Sequence, residues 1–153
     1  MLAIGACALG SRRWRYALFT ALASLLATWL LVNLMRTVAP MPRPAFYGLG
    51  IQWVAQGARP GFPSLHAAGT FAVAFSLWCL PSRAPMYAAL LVAAVVAWSR
   101  VYLGLHFPSD LAAGVMLGAL VSIVVERGVS RPLGRAATGA SVAARRRARL
   151  RRA

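Results

Sequence analysis

The groups best suited to chemistry lie together in residues 99–110, which hold Arg100, His106 and Asp110. The whole chain has only two histidines and two acidic residues, and this short stretch contains one of each. His106 and Asp110 are four residues apart, and a nearby carboxylate can hold one imidazole nitrogen so that the other is free as a nucleophile. Charges at the edge of a membrane span carry an energetic cost, which favours a functional site over ordinary packing.

A second set of polar groups precedes this stretch and suits the binding of an anion. Arg36 and Arg43 carry guanidinium groups, whose planar donors match pairs of phosphate oxygens. Ser64 stands where a helix cap belongs, so its hydroxyl and the backbone N–H groups that follow can face an anion. His66, one turn inside that helix, can protonate a leaving oxygen. Other roles are possible for the same residues. The arginines could anchor helices at the membrane interface, His66 could be a core histidine, and His106 with Asp110 could be half of a metal site.

Four apolar runs predict the helices that position these groups. The chain has 153 residues and is 60% hydrophobic, which is too apolar for an ordinary soluble domain. A helix needs about twenty apolar residues to cross a bilayer core of about 30 Å. The predicted spans cover residues 16–35, 64–80, 86–105 and 111–125, and residues 1–9 predict a helical stub. We therefore expect an all-α, polytopic membrane bundle of four spans plus the stub.

The charge distribution predicts which side each loop occupies. The formal net charge is +15, from seventeen arginines against two acids. If the spans alternate, Arg36, Arg43, Arg59 and Arg100 share one side with both histidines and Asp110, and the other arginines lie opposite. The positive-inside rule then places the larger group in the cytoplasm and the histidines outside. Arg59 matches no motif and is interpreted first as a loop charge.

The chain divides by composition into a membrane domain, residues 1–126, and a basic cytoplasmic tail, residues 127–153. We expect the tail to be disordered and to contact anionic lipid headgroups. Nucleic acid is the other possible partner, but the tail has no aromatic residues among its charges, so no nucleic-acid binding is expected.

Three motifs, in order, carry a resemblance to a known family. They are Arg36-x6-Arg43-Pro44, Pro63-Ser64-Leu65-His66 and Ser99-Arg100-x5-His106-x3-Asp110. Their order and spacing resemble the motifs of the type 2 phosphatidic acid phosphatase (PAP2) superfamily, and residues 101–110 resemble its bacterial, undecaprenyl-diphosphatase-like branch. The resemblance implies that His106 attacks phosphorus to give a phosphohistidine, that Asp110 orients it, and that His66 protonates the leaving group. It also implies that the phosphate is bound by Arg36, Arg43, Ser64, Leu65 and Arg100.

Three departures from the family pattern qualify this expectation. Arg36 stands where Lys is usual, and Leu65 stands where Gly is commoner and brings bulk beside a backbone amide. A Pro-Ser-Leu-His motif also occurs in sphingolipid-type phosphotransferase relatives, so water and another alcohol both remain possible acceptors. Membrane members of the family usually have six spans, so the first two are absent from the four predicted here. Either the start is truncated, or the four remaining helices are sufficient, for example as an oligomer.

The function that the resemblance implies is hydrolysis of a membrane lipid phosphate at the outer face of a bacterial inner membrane, with undecaprenyl diphosphate as the expected substrate. Phosphatidylglycerophosphate and a polyprenyl-phosphosugar phosphate are alternatives, as is phosphotransfer. A different class is an inactive membrane scaffold whose arginine tail binds lipid or RNA. Two acids are too few for a magnesium or two-metal site, so we expect no metal or cofactor. The expected partners are the lipid substrate and the bilayer, and a homo-oligomer is possible.

Overall fold

The chain folds into helices joined by short connections. The computed structural model describes residues 12–150 except 52 and 56–58, and it describes side chains as far as residue 129. The helices are α1, Arg12–Val38; α2, Leu65–Ser76; α3, Ala84–Tyr102; and α4, Pro108–Leu150. Single 3-10 turns occupy Pro44–Tyr47 and Leu77–Cys79. Since no strand occurs among the described residues, the all-α prediction is confirmed.

Three of the helices are long and apolar enough to cross a membrane. They are Arg12–Val38, Ala84–Tyr102 and the Pro108–Val129 part of α4. The remaining predicted span, residues 64–80, contains a shorter helix: α2 has 12 residues, about 18 Å at a rise of 1.5 Å per residue. That length is below the roughly 30 Å of a bilayer core. The polytopic prediction therefore holds, with one helix that is shorter than predicted.

The short helix α2 is the centre of the bundle and packs against the other three helices. Its small residues Ala67, Ala68 and Ala72 are fully buried. Its closest neighbour is α4, where a side-chain carbon added to Gly114 would lie 2.8 Å from the Ser64 carbonyl oxygen. One at Gly118 would overlap the Ala68 carbonyl oxygen. Small residues spaced by four let helix backbones approach closely in membranes, and here they bring the start of α2 against α4.

The backbone of α4 continues to Leu150, through residues where the sequence analysis expected a disordered tail. Alanine and arginine are frequent in that segment and are strong helix formers. The division into a membrane domain and a cytoplasmic tail at residue 126 stays a prediction. The stub predicted at residues 1–9 lies outside the described residues.

Candidate active site

His106 and Asp110 form a buried pair in the turn between α3 and α4. Gly104, with a φ of 67°, lets the chain turn back after α3, and Pro108 begins the next helix. His106 Nδ1 lies 3.3 Å from Asp110 Oδ2, and the Phe107 backbone N–H donates to the same oxygen at 2.9 Å. Both residues of the pair are only 4% exposed. The carboxylate therefore holds Nδ1 and leaves Nε2 of the imidazole as the free nitrogen.

The start of α2 is joined directly to this pair. The Ser64 backbone N–H donates to the Asp110 carbonyl oxygen at 3.1 Å. Its side-chain oxygen caps α2 by accepting from the Ala67 N–H at 3.5 Å, as expected for serine at this position. Leu65 and His66 follow in the first turn, and the His66 side chain is exposed. The two histidines are thus carried by neighbouring helix starts.

Two arginines reach this region from the end of α1 and the connection that follows it. Arg36 donates to the Pro63 carbonyl oxygen at 2.9 Å, immediately before Ser64. Arg43 packs beside Gly61, where an added side-chain carbon would lie 2.9 Å from Arg43 Cγ and 3.6 Å from Asp110 Oδ2. The Gly61 N–H donates to the Met41 carbonyl oxygen at 2.8 Å, which holds this close approach in place.

The Nε atoms of Arg36, Arg43 and Arg100 are buried and have no hydrogen-bond partner among the described residues. Burying a charged donor without a partner is costly. All three arginines lie within electrostatic range of His66, and Arg36 and Arg43 also act on His106. The cluster therefore presents unused donors and uncompensated positive charge around both histidines, which suits a phosphate group.

Burial, followed by the charge of Arg43, lowers the pKa of His106 below its ordinary value, although Asp110 acts in the opposite direction. Burial and the neighbouring Arg59 likewise lower the pKa of Arg43. A lowered pKa keeps the His106 imidazole neutral near pH 7, which is the form that can attack phosphorus.

An apolar cavity of about 850 Å³ opens beside His66, between α1, α2 and α3. The residues lining it are Leu22, Leu25, Leu26, Trp29, Leu65, His66, Gly69, Thr70, Val73, Ala89, Val92 and Ala93. His66 is the one titratable group among them. The cavity therefore offers an apolar volume whose polar contact is a site residue, which suits a lipid chain attached to a phosphate.

The structure brings the predicted residues together, while their chemical roles stay predictions. Arg36 donates to the carbonyl oxygen of the residue before Ser64, and the Ser64 N–H donates to Asp110. The Asp110 carboxylate contacts His106, and Arg100 acts electrostatically on His66. Arg59 lies within electrostatic range of Arg43. Arg59 does not appear among the charges that act on either histidine.

Three contributions were missed by the sequence analysis. They are the Phe107 backbone donor, the close approach at Gly61, and the packing of Gly114 and Gly118 against α2. The Gly114-x3-Gly118 spacing is a visible signal of close helix packing. The other two depend on loop geometry, for which the sequence has no comparable signal.

The fold and the site together define a helical membrane protein with a candidate anion site at the helix ends. The chain belongs to the PAP2 superfamily, whose family model matches residues 15–132. This confirms the resemblance read from the three motifs.

Individual relatives are similar over parts of their length. "Putative undecaprenyl-diphosphatase YbjG" of Escherichia coli K12 is 34% identical over 99 residues, 63% of this chain and 47% of that protein. Decaprenylphosphoryl-5-phosphoribose phosphatase of Mycobacterium tuberculosis is 32% identical over 124 residues, 80% of this chain and 66% of that protein. The chain thus spans about half the length of the first relative and about two thirds of the second.

A solved structure shares the fold. It is the crystal structure of a transmembrane PAP2 type phosphatidylglycerolphosphate phosphatase from Bacillus subtilis, with a TM-score of 0.64 and 27% sequence identity. The superposition covers 85% of this chain and 67% of that chain.

Proposed function

We propose that this chain is a lipid phosphatase that removes a phosphate from a membrane lipid phosphate or diphosphate through a phosphohistidine. The observation that carries the proposal is the buried His106–Asp110 pair, held at 3.3 Å, beside three arginines with unpartnered buried Nε atoms. The pair supplies an oriented nucleophile, and the arginines supply charge for the phosphoryl oxygens. Positioning and charge neutralisation are the main contributions that proteins make to phosphoryl transfer.

In the first step, Nε2 of His106 attacks phosphorus and forms a P–N bond while the P–O bond to the lipid breaks. The electron pair goes to the leaving oxygen, and His66 gives that oxygen a proton. Asp110 holds the Nδ1–H of His106 and stabilises the charge that develops on the ring. Arg36, Arg43, Arg100, the Ser64 hydroxyl and the Leu65 amide neutralise the phosphoryl oxygens.

In the second step, a water molecule attacks the phosphohistidine. His66, now neutral, accepts a proton from the water as the new P–O bond forms and the P–N bond breaks. Orthophosphate leaves, and His106 regains its starting form. If an alcohol replaces water in this step, the same residues transfer the phosphate instead of releasing it.

Undecaprenyl diphosphate is the substrate we propose first. The apolar cavity at His66 suits a long hydrocarbon chain, and the E. coli relative is named for this substrate. Phosphatidylglycerophosphate and a decaprenylphosphoryl phosphosugar are alternatives, since other relatives are named for them. The arginine distribution supports a site on the outer side of a bacterial inner membrane, opposite the basic C-terminal residues.

The experiment is phosphate release by the purified full chain in detergent, with EDTA present. Undecaprenyl diphosphate is compared with phosphatidylglycerophosphate and a decaprenylphosphoryl phosphoribose. We expect the wild-type protein to release phosphate from at least one of them, and rapid quenching with labelled substrate to trap an acid-labile phosphate on His106.

The variant His106→Ala tests the nucleophile directly. It should lose phosphate release by about 1,000-fold or more and form no acid-labile intermediate. Circular dichroism and gel filtration check that the variant is folded. Turnover that survives this substitution in a folded protein would rule out the mechanism, and transfer of phosphate to an added alcohol in place of release would favour the phosphotransferase.

A further inference from the structure

The connection between α1 and α2 carries an exposed apolar surface that the proposed chemistry does not use. We call residues 44–54 the aromatic loop. Its side chains include Phe46, Ile51 and Trp53, which are 78%, 69% and 61% exposed. Tyr47, Leu49 and Val54 are exposed as well. No charged residue occurs in this loop, so six large apolar side chains face outward without a compensating charge.

The aromatic loop is fixed against the turn that holds the histidine pair. The Tyr47 ring lies 6.4 Å from the Phe107 ring and 5.3 Å from the Phe46 ring, both measured between centroids. Phe107 follows His106 directly and donates its N–H to Asp110. At the other end of the loop, Gly104 leaves room for the Ile51 carbonyl oxygen, 2.9 Å from where a side-chain carbon would stand. The loop is therefore an edge of the site.

The exposed surface of the aromatic loop continues into the surface of a membrane-spanning helix. Ile51 touches Gly104, which follows the end of α3 at Tyr102. Tyr102 and Trp98, on the last turns of α3, are 66% and 71% exposed. Since α3 is a candidate membrane span, these two side chains form an exposed apolar surface at the end of that span where the candidate site lies. The loop extends the same apolar, aromatic surface beyond that helix end.

We propose that the aromatic loop inserts into the membrane, at the boundary between headgroups and acyl chains on the side of the candidate active site. Tyrosine, tryptophan and phenylalanine are the residues that favour this boundary. The loop follows α1 and contacts the residues after α3, which are both candidate membrane spans, so it lies near the ends of two spans. Insertion places the His106 turn at headgroup depth and covers one edge of the site with lipid in place of water.

Fluorescence quenching in vesicles tests the position of the loop. Ile51→Cys and Phe46→Cys are made separately in the full chain with Cys7 and Cys79 replaced by Ala, and each is labelled with an environment-sensitive dye. The proteins are reconstituted in phosphatidylcholine vesicles that contain about 20% phosphatidylglycerol, which makes the vesicle surface anionic. Quenchers are lipids with a shallow nitroxide, lipids with a deep nitroxide, and aqueous iodide.

The matched control is Arg59→Cys in the same background. Arg59 is exposed in the same connection but is charged and lies outside the aromatic loop. We expect the shallow nitroxide to quench positions 46 and 51 at least about twofold more than position 59, and iodide to show the reverse order. Unchanged circular dichroism and gel filtration confirm that the labelled proteins are folded.

Two results would overturn the proposal. Strong iodide quenching at positions 46 and 51 would show that the loop is in water. Protection from iodide without nitroxide quenching, together with energy transfer between labelled copies, would show that a second copy covers the loop. The measurement needs no turnover, so an inactive protein would contradict the proposed phosphatase without deciding where the loop lies.

Discussion

Arg83, one of the arginines at the end of the bundle opposite the candidate site, is in a different state from the arginines at the site. Arg83, between α2 and α3, donates to the Trp78 carbonyl oxygen and stacks on the Trp78 ring at 4.0 Å. By contrast, the Nε atoms of Arg36, Arg43 and Arg100 are buried and unpartnered. Arg83 therefore has partners within the protein, whereas the three arginines at the site have unused donors.

The hydroxyl groups between α1 and α2 show the same contrast with the site. Ser76 Oγ lies 3.2 Å from Ser24 Oγ and 2.8 Å from the Ala72 carbonyl oxygen. Thr20 donates to carbonyl oxygens of its own helix. These groups use short-range partners and need no ligand, whereas buried unpartnered donors require an explanation. The buried Thr28 hydroxyl of α1 also has no hydrogen-bond partner among the described residues, so a missing partner alone does not mark a site. What distinguishes the candidate site is that three unpartnered cationic donors lie around the histidines.

After His106→Ala, the largest effect should come from Asp110→Asn, which is compared with a substitution of the other acid of the chain. Asp110→Asn keeps an oxygen that accepts the Phe107 N–H but removes the negative charge beside His106. We expect kcat to fall by about 100- to 1,000-fold, because the imidazole loses the group that orients it. Glu126→Gln, which changes the other acid, should leave kcat unchanged. Equal effects of the two variants on lipid phosphate hydrolysis would contradict the distinction between the two ends.

How much of this site could be predicted from sequence depends on the kind of contact. The candidate site residues are predicted because their order and spacing follow a family pattern, and their roles stay predictions. They are Arg36, Arg43, Ser64, His66, Arg100, His106 and Asp110. The His106–Asp110 contact follows from two residues one helical turn apart near a helix start. These contacts are local or motif-defined, so they leave a signal in the sequence.

The contacts that join the motifs left weaker signals. The hydrogen bond from the Ser64 backbone N–H to the Asp110 carbonyl oxygen depends on the crossing of α2 and α4, which no single motif specifies. The length of α2 was overestimated because residues 77–80 continue the apolar run although the α-helix ends at Ser76. Apolar character predicts burial in lipid or protein alike, and only the packing of the other three helices shows which applies.

Arg43→Gln should have the next largest effect and should also change the pH dependence. Removing one donor to the phosphoryl oxygens is expected to lower kcat/KM by about 100-fold. Arg59→Gln is the matched control in the same connection, and its side chain is exposed, so its effect should be less than about threefold. Comparable losses in both variants would indicate a general charge effect in place of a defined site.

The pH dependence of kcat/KM gives a second test, because its acid limb should shift in opposite directions in two variants. The pKa of His106 is lowered by burial and then by Arg43, so neutral imidazole and activity should persist below pH 6.5 in the wild type. Arg43→Gln removes a lowering charge, so the acid limb of kcat/KM should move to higher pH. Asp110→Asn removes a raising partner and should move the limb lower. Shifts in the same direction would contradict control of the His106 pKa by these two neighbours.

A smaller effect is expected from Gly114→Ala, which acts on the joint between α2 and α4. The added carbon would lie 2.8 Å from the Ser64 carbonyl oxygen and 3.1 Å from the Ala68 nitrogen. Overpacking of this kind costs about 1–3 kcal/mol, and the displaced start of α2 should lower kcat about tenfold. Gly128→Ala is the control on the same helix, since nothing lies within 4 Å of its added carbon. The thermal unfolding temperature should fall in Gly114→Ala and stay unchanged in Gly128→Ala.

The smallest effect should come from Ser76→Ala, which removes a hydroxyl that has partners inside the bundle. The variant loses the contact with Ser24 at 3.2 Å, and such hydrogen bonds between membrane helices contribute about 0.6 kcal/mol on average. We therefore expect a slightly lower unfolding temperature in detergent and unchanged kcat and KM for the lipid substrate. Ser64→Ala is the informative counterpart, because it removes the hydroxyl that caps α2 beside the histidine pair and that we propose as a donor to the phosphate. A fall in kcat for Ser76→Ala equal to that for Ser64→Ala would show that hydroxyl groups stabilise the fold and the site in the same way, and would remove the contrast between the two regions.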